Sequence, residues 1–393
     1  MLKTVSCWRS YIVAAVIILA LSSCQKEKLG ASGGAEECFV TRGALAGQLI
    51  DSQFIVVMKS VPTAGASEVN RTNLRTLLLL KRVGLRPASR LKIFSGPLSG
   101  MLLKLSAAQQ IAFKRDTAVA AVIPDKIVAL STCFKVVEPT LVTWSAKRVG
   151  YGNGAGKTAW VIDTGIDFNH PDLNVDANRS RSFVGGVSTG DDDNGHGTHV
   201  AGIIGAKNNA IGILGIASGA TLVSVKVLDK DGAGKLSNII EGLNYVATAA
   251  KAGDVVNLSV GDEDGVSEYL DKLVTDIARR GVYFAIAAGN DNKPAINYSP
   301  GRVNAPNVYT VSAVDSLDNF ASFSNYGNDA VDFAAPGVRV VSTYKGGKYA
   351  RLSGTSMAAP HVAGLLLLKG NGIRFQGLAK NDPDGVADKI AIK

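Results

Sequence analysis

Beyond about residue 140, the chain alternates short, nearly continuous apolar runs with longer segments in which apolar residues recur at helical spacing. The apolar runs predict strands at Thr158–Ile162, Thr221–Leu228, Val255–Val260, Val282–Ala288 and Val308–Ala313. The periodic segments predict helices at His196–Ala206, Ser237–Ala252, Glu268–Arg280 and Ser356–Lys369. Strands that are apolar on both faces and separated by helices are typical of a parallel β-sheet with helices on both faces. We therefore predict an α/β fold for residues 132–393.

Residues 48–131 follow a different pattern, which predicts a small α+β unit. Its strands are predicted at Phe54–Met58, Leu91–Phe94, Met101–Leu105 and Val119–Ile123. One helix is predicted at Val69–Arg82, with Leu74, Leu77 and Leu78 on one face. Ser106 and Gln109 have capping-box spacing and predict the start of a second helix. The resulting β-α-β-β-α-β order indicates a ferredoxin-like fold of about 80 residues.

The amino terminus has the pattern of a targeting segment. Lys3 and Arg9 precede an apolar run of 11 residues, Tyr11–Leu21, which is shorter than an ordinary membrane span. The segment Leu21-Ser22-Ser23-Cys24 resembles the lipobox of bacterial lipoproteins. That resemblance implies that residues 1–23 are a signal peptide, that Cys24 carries a diacylglycerol, and that residues 24–47 form a Gly-, Ala- and Ser-rich tether. The alternative is an ordinary secretory signal.

The charge of the chain is unevenly distributed, and this changes what its basicity implies. The 393 residues carry a net charge of +9, but residues 1–131 hold 17 Lys and Arg against 7 Asp and Glu. The rest of the chain holds 25 against 26 and shows no interleaving of basic and aromatic residues. Nucleic acid is therefore not an expected partner. Cys38 and Cys133 are compatible equally with a disulfide and with two free thiols.

Four polar residues stand at positions that the predicted fold brings to one edge of the sheet. Asp163 and Asn290 follow buried strands, and the carboxyl edge of a parallel sheet is where sites form. His196 lies between glycines at a helix start, and Ser356 lies at the head of another helix. Alone, Asp163 would be a turn former and Ser356 a helix cap. A metal pair of His196 with His199 is disfavoured because zinc helices space their histidines by four and place a glutamate between them.

Together these four residues have the composition that acyl transfer requires. His196 would accept the proton of Ser356, and Asp163 would hold the imidazole in the correct tautomer. Asn290 and the Ser356 N–H would stabilise the oxyanion of the tetrahedral intermediate. The sequence therefore predicts a serine nucleophile at residue 356.

The motifs around these residues resemble those of the subtilisin-like serine proteases. The matching segments run Asp163-Thr164-Gly165, His196-Gly197-Thr198-His199, Ala287-Ala288-Gly289-Asn290 and Gly354-Thr355-Ser356-Met357-Ala358-Ala359-Pro360, in the family's order. The resemblance covers roughly Glu138 to the end. It implies a serine endopeptidase that needs no cofactor for its chemistry, with a structural calcium ion compatible with the family. The substrate-binding residues it implies are Leu258, Ser259, Val260, Gly261, Ala288 and Gly289.

The same resemblance assigns residues 48–131 as a prosegment that assists folding, inhibits the enzyme and is removed by self-cleavage near residues 131–138. We therefore expect an exported lipoprotein of the outer membrane or cell surface whose mature domain acts on proteins or peptides. Two alternatives remain open from the sequence. One is a peptide ligase or macrocyclase of the same fold, and the other is a non-catalytic surface binding protein.

The chain departs from the family pattern at Asp262, which is followed by Glu263 and Asp264. We interpret this acidic run as a solvated loop, with a role in the P1 pocket or in binding calcium as the alternatives. The run Asp191–Asp193 is a second candidate for calcium. The remaining histidines, expected to be structural, are His170, His199 and His361.

Overall fold

The computed structural model describes residues 47–59, 68–129, 133–136, 141–260 and 265–393, and all of them belong to one compact unit, Cys38–Lys393. Only the backbone is described at 133–136. The predictions that fall on Cys24, Cys38, Gly261 and the acidic run 262–264 lie outside the described residues, as does the side chain of Cys133.

The amino-terminal region has the element order that its sequence predicts. The elements are β1 (Leu49–Met58), α1 (Glu68–Arg82), β2 (Arg90–Phe94), β3 (Gly100–Lys104), α2 (Ala107–Arg115) and β4 (Val119–Ala129). Its strands pair in an antiparallel sheet in the order β4-β1-β3-β2. The predicted capping box at the start of α2 is present, because Ser106 accepts from Gln109 N and the Gln109 side chain accepts from Ser106 N.

Helix α1 buries a different face from the one that carries Leu74 and Leu78. Thr72, Thr76, Leu79 and Leu80 are buried, and Leu80 packs in the core that this helix shares with the sheet. Leu74 and Leu78 are 58% and 50% exposed. Four consecutive leucines fit any helical face, and two threonines complete the face that is buried.

The remaining elements alternate strands and helices, as predicted. They are β5 (Cys133–Val136), α3 (Trp144–Val149), β6 (Gly152–Asn153), β7 (Thr158–Asp163), β8 (Arg181–Ser182), α4 (His196–Gly205), β9 (Ala217–Ser218), β10 (Thr221–Lys226), β11 (Ala233–Lys235), α5 (Leu236–Ala249), β12 (Val255–Leu258), α6 (Glu268–Ala278), β13 (Tyr283–Ala287), β14 (Val308–Val314), β15 (Phe333–Pro336), β16 (Val340–Tyr344), β17 (Lys348–Ser353), α7 (Thr355–Lys369), β18 (Arg374–Leu378) and β19 (Lys389–Ile392). The five predicted strands and four predicted helices are all present, and no end is shifted by more than three residues.

The main sheet has nine strands in the order β18-β19-β15-β14-β13-β12-β7-β10-β8. Every pair in it is parallel except β18 with β19. Alternate residues of β7 enter two different cores: Val161 packs with α4 and α7 on one face, and Trp160 packs with α5 and α6 on the other. The predicted sheet with helices on both faces is therefore confirmed.

The smaller sheets connect the two regions of the chain. Strand β11 pairs with β4 and extends the amino-terminal sheet, with Gly234 opposite Val128. Strand β5 pairs with β17, with Cys133 opposite Ser353. Within the described residues, we find no helix that combines the length and apolar character needed to cross a bilayer.

A buried carboxylate lies beside the last strand of the main sheet. Asp388 is 3% exposed and accepts a hydrogen bond of 2.5 Å from Ser312 Oγ. Burial, together with the nearby charges of Asp382 and Asp384, raises the pKa of Asp388 to about 7. In the described part of the chain, no group of three or more His, Cys, Asp or Glu side chains is arranged to hold a metal ion. Burial and the neighbouring acidic charges therefore disfavour the ionised form of Asp388 in the folded state.

We expect Asp388→Asn to stabilise the protein increasingly as the pH rises. The folded-state pKa lies above the unfolded value of 3.8. Between about pH 4 and about pH 7 the unfolded chain therefore loses this proton while the folded protein keeps it, and wild-type stability falls. The asparagine remains neutral and can still accept from Ser312. The gain in the free energy of unfolding should reach at most about 4 kcal/mol, measured by thermal unfolding at several pH values. Asp231→Asn, at an exposed carboxylate, is the control; a gain at position 388 that is independent of pH would contradict this prediction.

Candidate active site

Asp163 and His196 are brought together by the end of a strand and the start of a helix. Asp163 is the last residue of β7, and His196 is the first residue of α4. His196 Nδ1 lies 2.8 Å from Asp163 Oδ1 and 2.9 Å from Oδ2. Both residues are buried, and Thr164 N also donates to Asp163 Oδ1 at 2.7 Å. Since a carboxylate only accepts, Nδ1 carries the hydrogen and Nε2 is left as the basic nitrogen.

The turn before α4 requires glycine. Gly195 has φ +117°, and a β-carbon there would lie 2.2 Å from the ring of Tyr344. This conformation places the His196 ring against Asp163 at the helix start. His196 Nε2 is buried and has no hydrogen-bond partner among the described residues. A buried polar nitrogen without a partner is costly in a fold, which marks it as a group kept for chemistry.

Ser356 lies in the first turn of α7, at the carboxyl edge of the same sheet. It is the second residue of the helix, and the cap is Gly354, which makes no side-chain capping bond. The structure therefore does not use Ser356 as a helix cap, the alternative that this residue would suggest when taken alone. Ser356 Oγ donates to Ser259 O at 3.3 Å, and the structure shows no hydrogen bond from this hydroxyl to His196 Nε2. Catalytic hydrogen bonds are often formed only when substrate is bound.

Asn290 is oriented by the residue that precedes Ser356. Its Oδ1 accepts from Thr355 N at 2.8 Å and from Thr355 Oγ1 at 3.0 Å. Thr355 Oγ1 in turn accepts from Gly289 N at 3.1 Å. Because Asn290 Oδ1 accepts from Thr355, the Nδ2 amino group of Asn290 is the group that can donate to a developing oxyanion.

The loop that carries Asn290 is also held from behind by Asn325. Asn325 Oδ1 accepts from Asp291 N and Lys293 N, and its Nδ2 donates to Ala288 O. Gly289 has φ +106°, and a β-carbon there would lie 2.3 Å from Asn325 Nδ2. The glycine therefore permits this close support.

Asp192 has a structural role that its sequence context did not indicate. It is buried and accepts from Thr164 Oγ1, from the N–H groups of Asn194 and Gly195, and from the N–H and hydroxyl of Thr198. Burial raises its pKa. Asp191 accepts from Phe168 N, and Asp193 pairs with a lysine. The predicted calcium site at Asp191–Asp193 is not supported, because these carboxylates face different protein donors.

Lys226 is a buried cation beside the Asp163–His196 pair that we did not predict. It is fully buried, lies opposite Asp163 in the β10–β7 register, and donates to Thr164 O, Leu228 O and Asp193 Oδ1 at 2.5–2.8 Å. Thr164, whose carbonyl accepts from Lys226, also donates its own N–H to Asp163. A lysine inside an otherwise apolar strand was the signal in the sequence.

The other histidines bond to backbone carbonyls. His199 Nε2 lies 3.1 Å from Val340 O, and burial lowers its pKa to about 3. Burial also lowers the pKa of His361 to about 4, and His361 Nδ1 bonds to Met357 O. His170 Nε2 bonds to Lys348 O. Since the Nε2 of His199 serves carbonyl acceptors, that nitrogen is a donor and is not available to a metal ion.

The residues expected to bind substrate lie on both sides of Ser356. Ser259 and Val260 directly follow β12, and Ala288 and Gly289 directly follow β13. Leu258 is fully buried in the core, so any contact it makes with a substrate would be through its backbone.

Comparison with known proteins gives a consistent set of relatives. The model of the subtilase family matches residues 154–372. The chain is 36% identical over 291 residues to alkaline serine protease ver112 of Corniculantispora psalliotae, covering 70% of this chain and 72% of the relative. It is 47% identical over 215 residues to subtilisin BL of Lederbergia lenta, covering 55% and 76%. A crystal structure of a cold-adapted subtilisin-like serine proteinase matches with a TM-score of 0.57 and 35% identity, covering 64% of this chain and 98% of that one.

We expect Lys226→Met to lower both stability and activity. Removing the cation leaves two buried carbonyls without a donor and should cost about 2–3 kcal/mol of unfolding free energy. It also releases the Thr164 carbonyl next to Asp163, so kcat/KM for peptide hydrolysis should fall as well. Chemical unfolding and a peptide assay at a fixed pH measure the two effects. Lys230→Met, at an exposed lysine, is the control; a Lys226→Met variant that keeps the stability and the activity of the parent would contradict this role for Lys226.

Proposed function

This chain belongs to the subtilase family and is a serine endopeptidase, and we propose that it cleaves peptide bonds through an acyl-enzyme on Ser356. The observation that carries this proposal is the buried His196 ring, with Nδ1 on Asp163 and Nε2 without a hydrogen-bond partner among the described residues. Such a nitrogen suits a general base. The named relatives are proteases, which favours hydrolysis over ligation or a purely binding role.

In this mechanism Ser356 Oγ attacks the carbonyl carbon of the scissile bond while His196 Nε2 takes its proton. Asp163 stabilises the imidazolium that forms. The oxyanion would accept from the amide of Asn290 and from the Ser356 N–H, which lies among the unsatisfied N–H groups of the first turn of α7. His196 then gives the proton to the leaving amine, and water attacks the ester by the reverse sequence. No cofactor takes part in these steps.

We further propose that residues 48–131 are a ferredoxin-like prosegment. Its sheet continues into β11 of the catalytic region through the pairing of Val128 with Gly234. Asp125, fully buried, accepts from Ser237 N at 3.1 Å and from Ser237 Oγ at 2.7 Å in the first turn of α5. A carboxylate at a helix amino terminus is stabilised by the helix dipole.

Two further contacts support this docking. Lys92 forms an ion pair with Glu241 of α5. Asn244, one turn along the same helix, accepts from Leu98 N and donates to Leu98 O. A helix that receives a carboxylate, an ion pair and a paired amide from one surface suits a specific inhibitor complex.

The strand pairings bracket the bond that processing would cut. On one side, β4 ends at Ala129 beside Ala233 of β11. On the other, β5 begins at Cys133 beside Ser353, three residues before Ser356. We propose that self-cleavage falls between Ala129 and Cys133, because the chain on both sides of this stretch pairs with strands of the catalytic region and β17 leads directly to Ser356. Peptides that add a strand to an edge are a general mode of recognition.

The location that we propose follows from the leader and the processing site together. Residues 1–23 would direct export, and lipidated Cys24 would hold the zymogen at the outer membrane or cell surface. Cleavage before Cys133 would separate the catalytic region from that lipid, unless a Cys38–Cys133 disulfide retains it.

We expect Ser356→Ala to abolish both peptide hydrolysis and processing. The rate of hydrolysis should fall by about 10⁴-fold or more relative to the parent protein, as expected for a missing nucleophile. Electrophoresis of the purified zymogen and a peptide assay measure the two effects. Ser188→Ala, at an exposed serine, should change neither. If Ser356→Ala is still processed in pure form, another protease matures this chain and the self-cleavage proposal fails.

We expect the mature amino terminus to lie at residue 130, 131, 132 or 133. Mass spectrometry of the processed protein locates it directly. The same sample, run with and without reductant, tests whether the amino-terminal fragment stays attached through Cys38 and Cys133. A terminus at residue 134 or later would contradict the bracketing by β4 and β5, whatever the result with reductant.

A further inference from the structure

The two helices of the amino-terminal region share an outward face that is partly apolar. Helices α1 and α2 pack on one side of their sheet, through Leu79, Leu80 and Phe113 among others. The opposite side of each helix faces solvent. Three large apolar side chains that are at least half exposed lie there: Leu74, Leu78 and Ile111.

The charged residues of this face are basic. Lys81, Lys114 and Arg115 are exposed beside the apolar side chains. Residues 69–82 and 107–115 contain no Asp or Glu. Over residues 47–59 and 68–129 together, twelve Lys and Arg stand against four Asp and Glu, a net charge of +8. The face thus combines exposed leucines with an unopposed positive charge.

This face is turned away from the catalytic region. The other side of the sheet carries Ile55 and Val57, which pack in the core shared with α5 and α6. Arg82 at the end of α1 forms a two-bond ion pair with Asp116 after α2, at 2.8 and 2.9 Å, and ties the two helices into one layer. The face is therefore rigid and is not covered by any described part of the chain.

We propose that this helical face, defined by Leu74, Leu78, Lys81, Ile111 and Lys114 with Arg115, docks on an anionic phospholipid membrane. Helices that bind at a membrane surface combine apolar side chains, which enter the headgroup region, with Lys and Arg that contact anionic lipids. Lysine stems also extend over apolar surface while their charges reach the headgroups.

The proposal extends the proposed lipid anchoring without depending on it. Residues 24–47 span at most about 80 Å even when fully extended, so the face lies within reach of the bilayer that would hold Cys24. The catalytic region would then lie on the far side from the membrane. After cleavage, the docked prosegment would remain at the membrane when the catalytic region leaves.

The test uses the chain from residue 25 onward with Ser356→Ala, so that the prosegment stays attached and neither leader nor lipid contributes. Residues 38–393 form a compact unit of their own, so this truncation preserves the fold. We expect it to co-sediment with phosphatidylcholine vesicles that contain about 30% phosphatidylglycerol, and not with pure phosphatidylcholine vesicles. Added salt should weaken the binding.

Two triple variants separate the apolar and the charged contributions. Leu74→Ser with Leu78→Ser and Ile111→Ser, and Lys81→Glu with Lys114→Glu and Arg115→Glu, should each weaken vesicle binding at least about tenfold. The matched control is Leu317→Ser with Val386→Ser, which changes side chains of the catalytic region that are 68% and 60% exposed. It should bind like the parent. Thermal unfolding checks that all variants fold.

Equal binding to the two kinds of vesicle, or binding that neither triple variant weakens, would overturn the proposal. So would a dimer in sedimentation velocity that the leucine variant dissociates, if vesicle binding is absent, because the face would then belong to a second copy. Because the test protein begins at residue 25 and lacks Cys24, a failure of the proposed lipid anchor would leave these results unchanged.

Discussion

The completely buried carboxylate of Asp163 is the constraint around which this site is built. A buried carboxylate is tolerated only when hydrogen bonds and a positive partner compensate for the lost water. Here Thr164 N and His196 Nδ1 donate to it directly, and Lys226 Nζ donates to the carbonyl oxygen of Thr164. The turn before α4 must therefore pass close to the end of β7. Asp192 makes this possible by accepting the donors of that turn.

Support of the same kind extends to the other half of the site. Thr355 connects the first turn of α7 to Asn290, and Asn325 holds the loop in which Asn290 lies. Each reactive side chain is thus oriented by a neighbour that would not touch a substrate. Strand β11 pairs with β4, and strand β17 pairs with β5. The pairing of β11 with β4 joins the catalytic region to the amino-terminal region through backbone hydrogen bonds, which depend little on the side chains involved.

Some features of the structure could not be predicted from the sequence pattern, which was ambiguous in a definable way. Four consecutive leucines could not indicate which face of α1 is buried, and the structure buries two threonines while Leu74 and Leu78 stay exposed. Ser356 taken alone was compatible with a helix cap, but Gly354 takes that position and Ser356 lies in the first turn. The acidic run at Asp191–Asp193 suggested a metal site because composition alone does not show which donors each carboxylate meets. Strands β15 to β19 are short or carry polar residues, and no apolar run marks them.

By itself, the sequence determined the α/β architecture, the β-α-β-β-α-β order of the amino-terminal region and the polar residues at the carboxyl edge of the sheet. Hydrophobic periodicity and strand-end position are local properties, so they can be read along the chain. The tertiary structure decided which partners those residues have. The bond between Asp163 and His196, the burial of Lys226 and the orientation of Asn290 all join segments far apart in sequence. Such contacts depend on the packing of whole elements, which no local pattern specifies.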